Sequence, residues 1–302
     1  MSKAPTRVLP TAKDKHFELW SRVRQSLAAL PSYFASETNI EGLRATDIHT
    51  LNTTLGATIE EQVVASLNKM RAVWDPDDKY SLHSFIRQTQ TFPDVLFAKR
   101  DPDTAQLSDI ILGIELKGWY VLAKEGEPSF RYQVTPAVCT LMDMVVIVPW
   151  YLSNVISGVP RVLKPYIEAA KYAAEYRNYW WQNLREAKSD VRIESPTSVS
   201  PYPKKSDKIS DKPKSDGGGN FGRYARTGIM DDYIKALDQE EVTGIAIQYW
   251  REFFKLFQQD EDQARIRSAL ERLRVKVQKE KDADVESLST LWREIGELLG
   301  IN

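Results

Sequence analysis

The sequence has few of the residues that build zinc sites, disulfides and membrane spans. Its 302 residues include one cysteine, Cys139, and three widely separated histidines, His16, His49 and His83. A single thiol forms no internal disulfide, and this Cys/His set lacks the spacing of a structural zinc site. No run approaches the ~20 apolar residues that cross a bilayer, and residues 1–10 lack the apolar stretch of a signal peptide. We therefore expect a cytoplasmic protein that has no membrane partner.

The overall charge is equally unbiased. Lys and Arg number 41 and Asp and Glu number 42, so the formal net charge is −1. This balance excludes a uniformly basic nucleic-acid-binding protein of the histone type. A hydrophobic share of 42% is typical of a folded globular chain with a hydrophobic core.

Hydrophobic spacing predicts helices towards both ends of the chain. Apolar residues recur every three or four positions over residues 15–33, which is the spacing of one helix face. The same spacing begins again at Thr58, and Thr58 with Glu61 has the form of a capping box. Residues 164–187 and much of 229–302 also have helical spacing.

Short apolar runs between these helices predict strands. The runs lie at residues 92–98, 110–117, 130–134 and 144–150. They are rich in branched residues and are bounded by polar or proline-containing stretches, which is typical of buried strands. The order of helices and strands predicts an α/β fold in which these strands form the core sheet.

Three ionisable residues fall where buried strands would normally be apolar. Asp94 lies in the first run, and Glu115 and Lys117 occupy alternate positions of the second. Since side chains of a strand alternate between its faces, Glu115 and Lys117 point to the same side. Unpaired buried charges are costly, so two converging carboxylates without a nearby His or Cys indicate an oxygen-ligand site for Mg²⁺ or Mn²⁺.

These residues resemble the PD-(D/E)XK nucleases, the superfamily that contains most type II restriction endonucleases. Pro93-Asp94 is followed, 21 positions after the acid, by Glu115-Leu116-Lys117. The resemblance implies that Asp94, Glu115 and the backbone carbonyl of Leu116 hold Mg²⁺, for which Mn²⁺ would be a substitute. It also implies that Lys117 positions or polarises the attacking water.

The resemblance and the composition together divide the chain into four segments. Residues 1–54 are predicted to be an N-terminal helical region. Residues 55–187 are predicted to be a nuclease core similar to that of restriction endonucleases, which implies a central mixed sheet flanked by helices. Residues 188–220, rich in Ser, Pro, Lys and Gly, are predicted to be a flexible linker. Residues 221–302 are predicted to be a C-terminal helical subdomain.

Other residues compete for this site or add to it. Family members often carry a further acid on the helix before the sheet, and Glu60 matches that position, with a solvated helix face as its alternative role. Asp103 also follows a proline and precedes Glu115, but it lies in a polar stretch typical of a loop. A structural salt bridge at a strand edge is the alternative role for Asp94, Glu115 and Lys117.

A local excess of positive charge lies late in the chain. Seven Lys and Arg fall between positions 204 and 226 against three Asp, an excess that would attract phosphates, although a solvated linker is the alternative for its lysine-rich part. An aromatic ring between two arginines follows, and such residues read guanine edges or stack on bases. The candidate DNA contacts are Arg223, Tyr224 and Arg226, with Arg131 and Gln133 after the second acidic strand.

The sequence therefore predicts a Mg²⁺-dependent type II restriction endonuclease that hydrolyses phosphodiester bonds of double-stranded DNA at a specific sequence. A homodimer would place one active site on each strand of a palindromic site. Two alternatives stay open, namely a repair or junction nuclease of the same fold and a non-catalytic DNA-binding or scaffold subunit.

Overall fold

The structure, a computed structural model, describes residues 3–43, 50–88, 91–123, 125–186, 190–216, 219–256 and 263–281. Some of the positions discussed above lie outside these ranges. They are residues 1–2 and 44–49 of the predicted N-terminal region, with His49, and residues 89–90, 124 and 187 of the predicted core. They also include residues 188–189 and 217–218 of the predicted linker and residues 257–262 and 282–302 of the predicted C-terminal subdomain.

The described residues form eight α-helices. These are α1 (Phe17–Ala28), α2 (Leu30–Tyr33), α3 (Leu51–Lys69), α4 (Arg71–Trp74), α5 (Ala170–Tyr179), α6 (Asp231–Leu237), α7 (Ile247–Lys255) and α8 (Gln263–Lys281). A π-helical turn, Trp180–Leu184, continues α5. Of these helices, none combines the length and the apolar character that a membrane span requires.

The helix predicted over residues 15–33 is confirmed as α1 and α2. The predicted capping box is wrong. Because α3 begins at Leu51, Thr58 and Glu61 lie inside the helix, where backbone N–H groups already bond to carbonyls one turn earlier.

One six-stranded mixed sheet forms the centre of the protein. Its strands are β1 (His83–Arg87), β2 (Val95–Arg100), β3 (Leu107–Tyr120), β4 (Met144–Leu152), β5 (Pro160–Val162) and β6 (Tyr166–Ala169). Strands β1, β2 and β3 pair antiparallel, β4 pairs parallel to β3, and β5 and β6 both pair antiparallel to β4. The predicted α/β class with a mixed sheet is therefore confirmed.

Helices cover this sheet, and the hydrophobic core lies between the layers. Ile59, Val63 and Leu67 of α3 are buried, and α3 contacts β1 and β3, while α5 contacts β4 and β6. Met144–Val148 of β4 are fully buried. A strand with neighbours at both edges and cover on both faces has to be apolar almost throughout.

The segment predicted as a flexible linker makes ordered contacts in its described part. Within residues 190–216, β7 (Ile193–Glu194) pairs with β8 (Lys212–Pro213). Asp211 is fully buried and forms an ion pair with Arg177 of α5. For this part the prediction of a flexible linker is wrong, because a buried carboxylate fixes the segment to the core in spite of its polar composition.

The predicted strand at 130–134 is also wrong as an independent strand. Arg131 and Val134 make only single bridges, with Arg223 and Ser210. Later in the chain, β9 (Glu241–Val242) and β10 (Ile245–Ala246) form a two-stranded pair.

Candidate active site

The candidate site lies where β2 and β3 separate. The two strands pair as far as Val95 of β2, and Asp94 is the residue just before it. Pro93 packs across β3 at Gly113, where an added Cβ would lie 2.3 Å from Pro93 Cγ. Glycine at this position therefore allows the chain that carries Asp94 to approach β3 closely.

Beyond the last β2 pair, three side chains take the place of a neighbouring strand along β3. The backbone donors and their acceptors are Leu116 N–H to Asp94 Oδ2 at 3.0 Å, Gly118 N–H to Glu60 Oε1 at 3.3 Å, and Tyr120 N–H to Asn52 Oδ1 at 2.9 Å. In a strand, the N–H and C=O of one residue point to the same edge. The Leu116 carbonyl, a predicted metal ligand, thus belongs to the edge that Asp94 occupies.

Glu115 contributes the second carboxylate. It is half-buried in β3, and its Oε2 atom is buried without a hydrogen-bond partner in the described structure. A buried acceptor without a donor costs free energy. An atom of this kind is suited to bind a cation or an ordered water molecule.

Burial raises the affinity of both acids for protons. Burial raises the pKa of Asp94 to about 6, although the hydrogen bond from Leu116 N–H acts in the opposite direction. Burial also raises the pKa of Glu115 well above its usual range, and the negative charge of Asp94 adds to this effect. The fully ionised form of the pair therefore requires additional positive charge nearby.

Glu60 brings two cations to the edge of this pair. Lys117 Nζ lies 3.8 Å from Glu60 Oε1, and Arg87 Nη2 lies 3.5 Å from Glu60 Oε2. Lys117 is 32% exposed and Arg87 33%, so solvent screens these contacts and they add little stability. Their main effect is to hold two positive charges at the mouth of the site.

The residues fit a divalent cation with oxygen ligands. Asp94 and Glu115 supply carboxylates, and one buried oxygen of Glu115 has no protein donor. Among the described residues, no group of three His, Cys, Asp or Glu side chains is arranged to hold a metal. Since Glu60 faces Lys117 and Arg87, the assignment of Glu60 as a third metal ligand stays a prediction.

The rival acid, Asp103, is not brought to this site. It lies exposed in the turn between β2 and β3, where its N–H donates to Asp101 Oδ1 at 3.0 Å. This turn follows the far end of β2, whereas Asp94 precedes the near end. The geometry thus favours Asp94 as the acid that accompanies Glu115.

The predicted DNA contacts fall into different environments. Tyr224 is fully buried, and its hydroxyl lies 3.3 Å from that of Tyr166, so the prediction that Tyr224 stacks on a base is wrong. Arg226 is exposed and donates to Glu127 at 3.1 Å. Gln133 donates to the Phe221 carbonyl at 3.4 Å.

Two residues at the site have no counterpart in the sequence prediction. Arg87 ends β1, a five-residue strand in which buried His83 and Phe85 alternate with less buried residues. Asn52 lies in the first turn of α3, outside the helix that the sequence predicts from Thr58. The sequence feature that could have indicated Arg87 is its position as the one Lys or Arg of the short run His83 to Arg87, just before Pro93-Asp94.

The chain was compared with protein-family models, curated proteins and solved structures, and no match was found in any of the three.

Proposed function

We propose that this chain is a Mg²⁺-dependent endonuclease that hydrolyses phosphodiester bonds of double-stranded DNA, with Mn²⁺ as an alternative metal. The observation that carries the proposal is the buried, donor-free Oε2 of Glu115 beside Asp94. Two desolvated carboxylates at the point where β2 and β3 part form a site that gains stability from a hard divalent cation.

The restriction-endonuclease type of core is the finer part of the proposal. It is supported by the order of α3, the strand that follows Asp94, and the strand that carries Glu115 and Lys117. It is also supported by β4, which lies parallel to β3. On the same basis we propose cleavage at a specific sequence by a homodimer, in which each protomer cuts one strand.

The chemistry assigns a distinct task to each side chain. In hydrolysis the oxygen of water bonds to phosphorus, the bond from phosphorus to a sugar oxygen breaks, water releases one proton and the sugar oxygen gains one. When bound by Asp94 and Glu115, the metal supplies a more acidic water and positive charge against the pentacovalent phosphorus. Lys117 and Arg87 add positive charge beside the attacked phosphate.

A second candidate is a DNA-binding or scaffold protein without turnover. It is favoured by the ladder along β3, where Asn52 caps Tyr120 N–H with a neutral amide just as Asp94 caps Leu116 N–H with a carboxylate. In this case Asp94 would serve only to satisfy an unpaired strand edge.

The test uses substitutions that keep shape and hydrogen bonding while removing charge. Asp94→Asn retains an acceptor for Leu116 N–H, and Lys117→Met retains the length of the side chain. Purified variants are incubated with unmethylated phage DNA in Mg²⁺, with and without EDTA, and the products are separated on a gel. Asp103→Asn is the matched control, because it removes an exposed acid outside the site.

We expect the wild type and Asp103→Asn to cut DNA into discrete fragments, and Asp94→Asn and Lys117→Met to leave it intact. A smear of fragments that also requires Mg²⁺, Asp94 and Lys117 would support the nuclease activity and reject sequence specificity. DNA left intact by the wild type in both Mg²⁺ and Mn²⁺ would favour the scaffold candidate. Cutting by Asp94→Asn at the wild-type rate would reject the site.

A further inference from the structure

Arg131 and Arg223 form a feature that the hydrolytic site does not use. They face each other in an isolated antiparallel bridge. The flanking backbone hydrogen bonds run from Tyr132 N–H to the Gly222 carbonyl at 2.7 Å and from Tyr224 N–H to the Phe130 carbonyl at 3.0 Å. This pattern defines a non-hydrogen-bonded pair, in which the Cα atoms are about 4.5 Å apart and the side chains are closest. Two guanidinium groups therefore leave the same face side by side.

No acid neutralises this pair in the described part of the chain. Neither arginine takes part in a described ion pair, whereas Arg226 nearby pairs with Glu127 at 3.1 Å. The Nε of Arg223 is buried without an acceptor. Asp216, in the adjoining loop, accepts with its two oxygens from two backbone amides of that loop. Like charges placed opposite each other are destabilising, so the arrangement calls for an anionic ligand.

The pair lies on the outer side of a segment whose inner side adjoins the candidate active site. Arg131 is exposed and Tyr132 is fully buried, as expected for successive side chains of an extended segment. The ring of Tyr132 lies 6.3 Å from that of Phe92, two residues before Asp94. The charge of Glu115 reaches the hydroxyl of Tyr132, because it contributes, after burial and Cys139, to raising the pKa of Tyr132.

The segment is held rigidly in this position. Arg177 donates to the carbonyls of Tyr132 at 2.7 Å and Val134 at 3.1 Å. Gly222, with φ of +81°, permits the close approach, because an added Cβ would lie 2.5 Å from Gln133 Cγ. The two arginines thus extend from a fixed backbone, which lowers the entropy cost of binding a ligand.

We propose that Arg131 and Arg223 together bind one backbone phosphate of a DNA duplex, at a position separate from the site of Asp94 and Glu115. Guanidinium groups bind phosphate oxygens through paired, charge-assisted hydrogen bonds. The identity of the ligand as DNA rests on the proposed function. The existence of an anion site rests on the unpaired arginines themselves.

The experiment measures binding of the full-length protein to a fluorescent duplex by anisotropy, in EDTA, over a series of KCl concentrations. Any duplex serves as probe, because a phosphate contact acts uniformly across sequences. The variants are Arg131→Gln, Arg223→Gln and the double substitution. Arg161→Gln is the matched control, because Arg161 is exposed on β5 and its substitution removes the same charge.

We expect each single substitution to weaken binding about tenfold, the contribution of one charge-assisted hydrogen bond. In the double variant, the slope of log Kd against log[KCl] should fall by about 0.9, the value for one phosphate. Arg161→Gln should leave both quantities unchanged. A fall of about 1.8 would indicate two separate phosphates and overturn the shared site, and unchanged binding would overturn it altogether.

Thermal unfolding separates recognition from a structural role. Removing one of two facing like charges should leave the melting temperature of Arg131→Gln equal to or above that of the wild type. Weaker binding that is accompanied by a clear loss of stability would overturn the proposal. The wild type could also bind DNA without cutting it. If the double variant then lost DNA binding, the result would support this phosphate site and reject the proposed nuclease activity. A wild type that binds no duplex at low salt would overturn this site.

Discussion

The carboxylate of Asp211 lies 2.5 Å from the guanidinium of Arg177, and both side chains are closed to solvent. Asn178, next to Arg177 on α5, donates to the same Oδ2 atom of Asp211 at 2.7 Å. Since both charges are desolvated, each depends on the other for compensation. This pair joins α5 to a segment whose composition is typical of an exposed linker.

Removal of one partner should therefore be strongly destabilising. We expect Asp211→Asn to lower the free energy of unfolding by about 3–5 kcal/mol, because it leaves the buried guanidinium uncompensated. Urea denaturation followed by circular dichroism measures the change. Arg192→Gln, which breaks the exposed pair with Asp190, should have little effect. Equal stability of Asp211→Asn and wild type would contradict the assignment of a buried ionic anchor.

The raised pKa values of Asp94 and Glu115 predict how stability depends on pH without metal. The folded state retains protons that the unfolded chain has released, so the free energy of unfolding should fall as pH rises from about 4 past 6. Raising one carboxyl pKa from 3.8 to about 6 corresponds to at most roughly 3 kcal/mol. Melting temperatures in EDTA from pH 5 to pH 8 should show the fall, and Mg²⁺ should reverse it at pH 8.

A buried histidine acts in the opposite direction and needs its own control. Burial lowers the pKa of His83, while Asp109, 3.3 Å from its Nε2, acts to raise it. The unfolded state therefore binds protons more readily, and this contribution reduces stability as pH falls below about 6.5. Asp94→Asn with Glu115→Gln should remove the part of the fall that these two carboxyls cause, and leave the slopes of His83 and of Asp143, whose pKa burial also raises. If that double variant kept the wild-type profile, the two carboxyls would not be the source of the fall.

The contacts of Glu60 predict that it positions cations more than it binds metal. Glu60→Gln keeps an acceptor for Gly118 N–H but loses the charge that holds Lys117 and Arg87. We expect Mn²⁺ affinity at pH 8 to change less than about twofold while the cleavage rate at saturating metal falls about tenfold or more. Calorimetric titration with Mn²⁺ and single-turnover cleavage measure the two quantities.

Arg87→Gln provides the matched variant for Glu60. It removes one of the cations and should reduce cleavage without changing Mn²⁺ affinity at pH 8, where Asp94 is ionised. A loss of Mn²⁺ affinity of tenfold or more in Glu60→Gln, with none in Arg87→Gln, would instead identify Glu60 as a metal ligand, as the family resemblance implies.

The elements with continuous or strictly periodic apolar residues could be predicted from the sequence. The strand predicted over 144–150 is observed as Met144–Leu152, because cover on every side requires an apolar residue at nearly every position. Strand β1 was not predicted because its five residues, His-Ser-Phe-Ile-Arg, show no alternation of apolar and polar types in the sequence, although their burial alternates in the structure. The run at 130–134 has the composition of a strand, but its partners lie near residues 210 and 223, too distant in sequence for a local pattern to reveal.

The same distinction applies to the candidate site. Asp94 and Glu115 stand out because charge is unusual within apolar strands, and the structure places Asp94 at the open edge of β3, the strand that carries Glu115. Arg87 and Asn52 reach this edge only through the packing of β1 and α3 on β3, which depends on the assembled fold. The burial of Tyr224 is likewise a tertiary property, since a tyrosine between two arginines has the composition of an exposed contact.

The bridges of residues 130–134 also limit how the protein can be divided or recombined. Thr135 N–H bonds to the Ile209 carbonyl, Asp211 N–H to that of Gln133, and Tyr132 N–H to that of Gly222. A fragment that ended at residue 187 would expose these backbone groups and leave Arg177 without its counter-ion. Gene shuffling between related chains would therefore have to transfer residues 130–134 and 209–224 together, although 79 positions of sequence separate their starts.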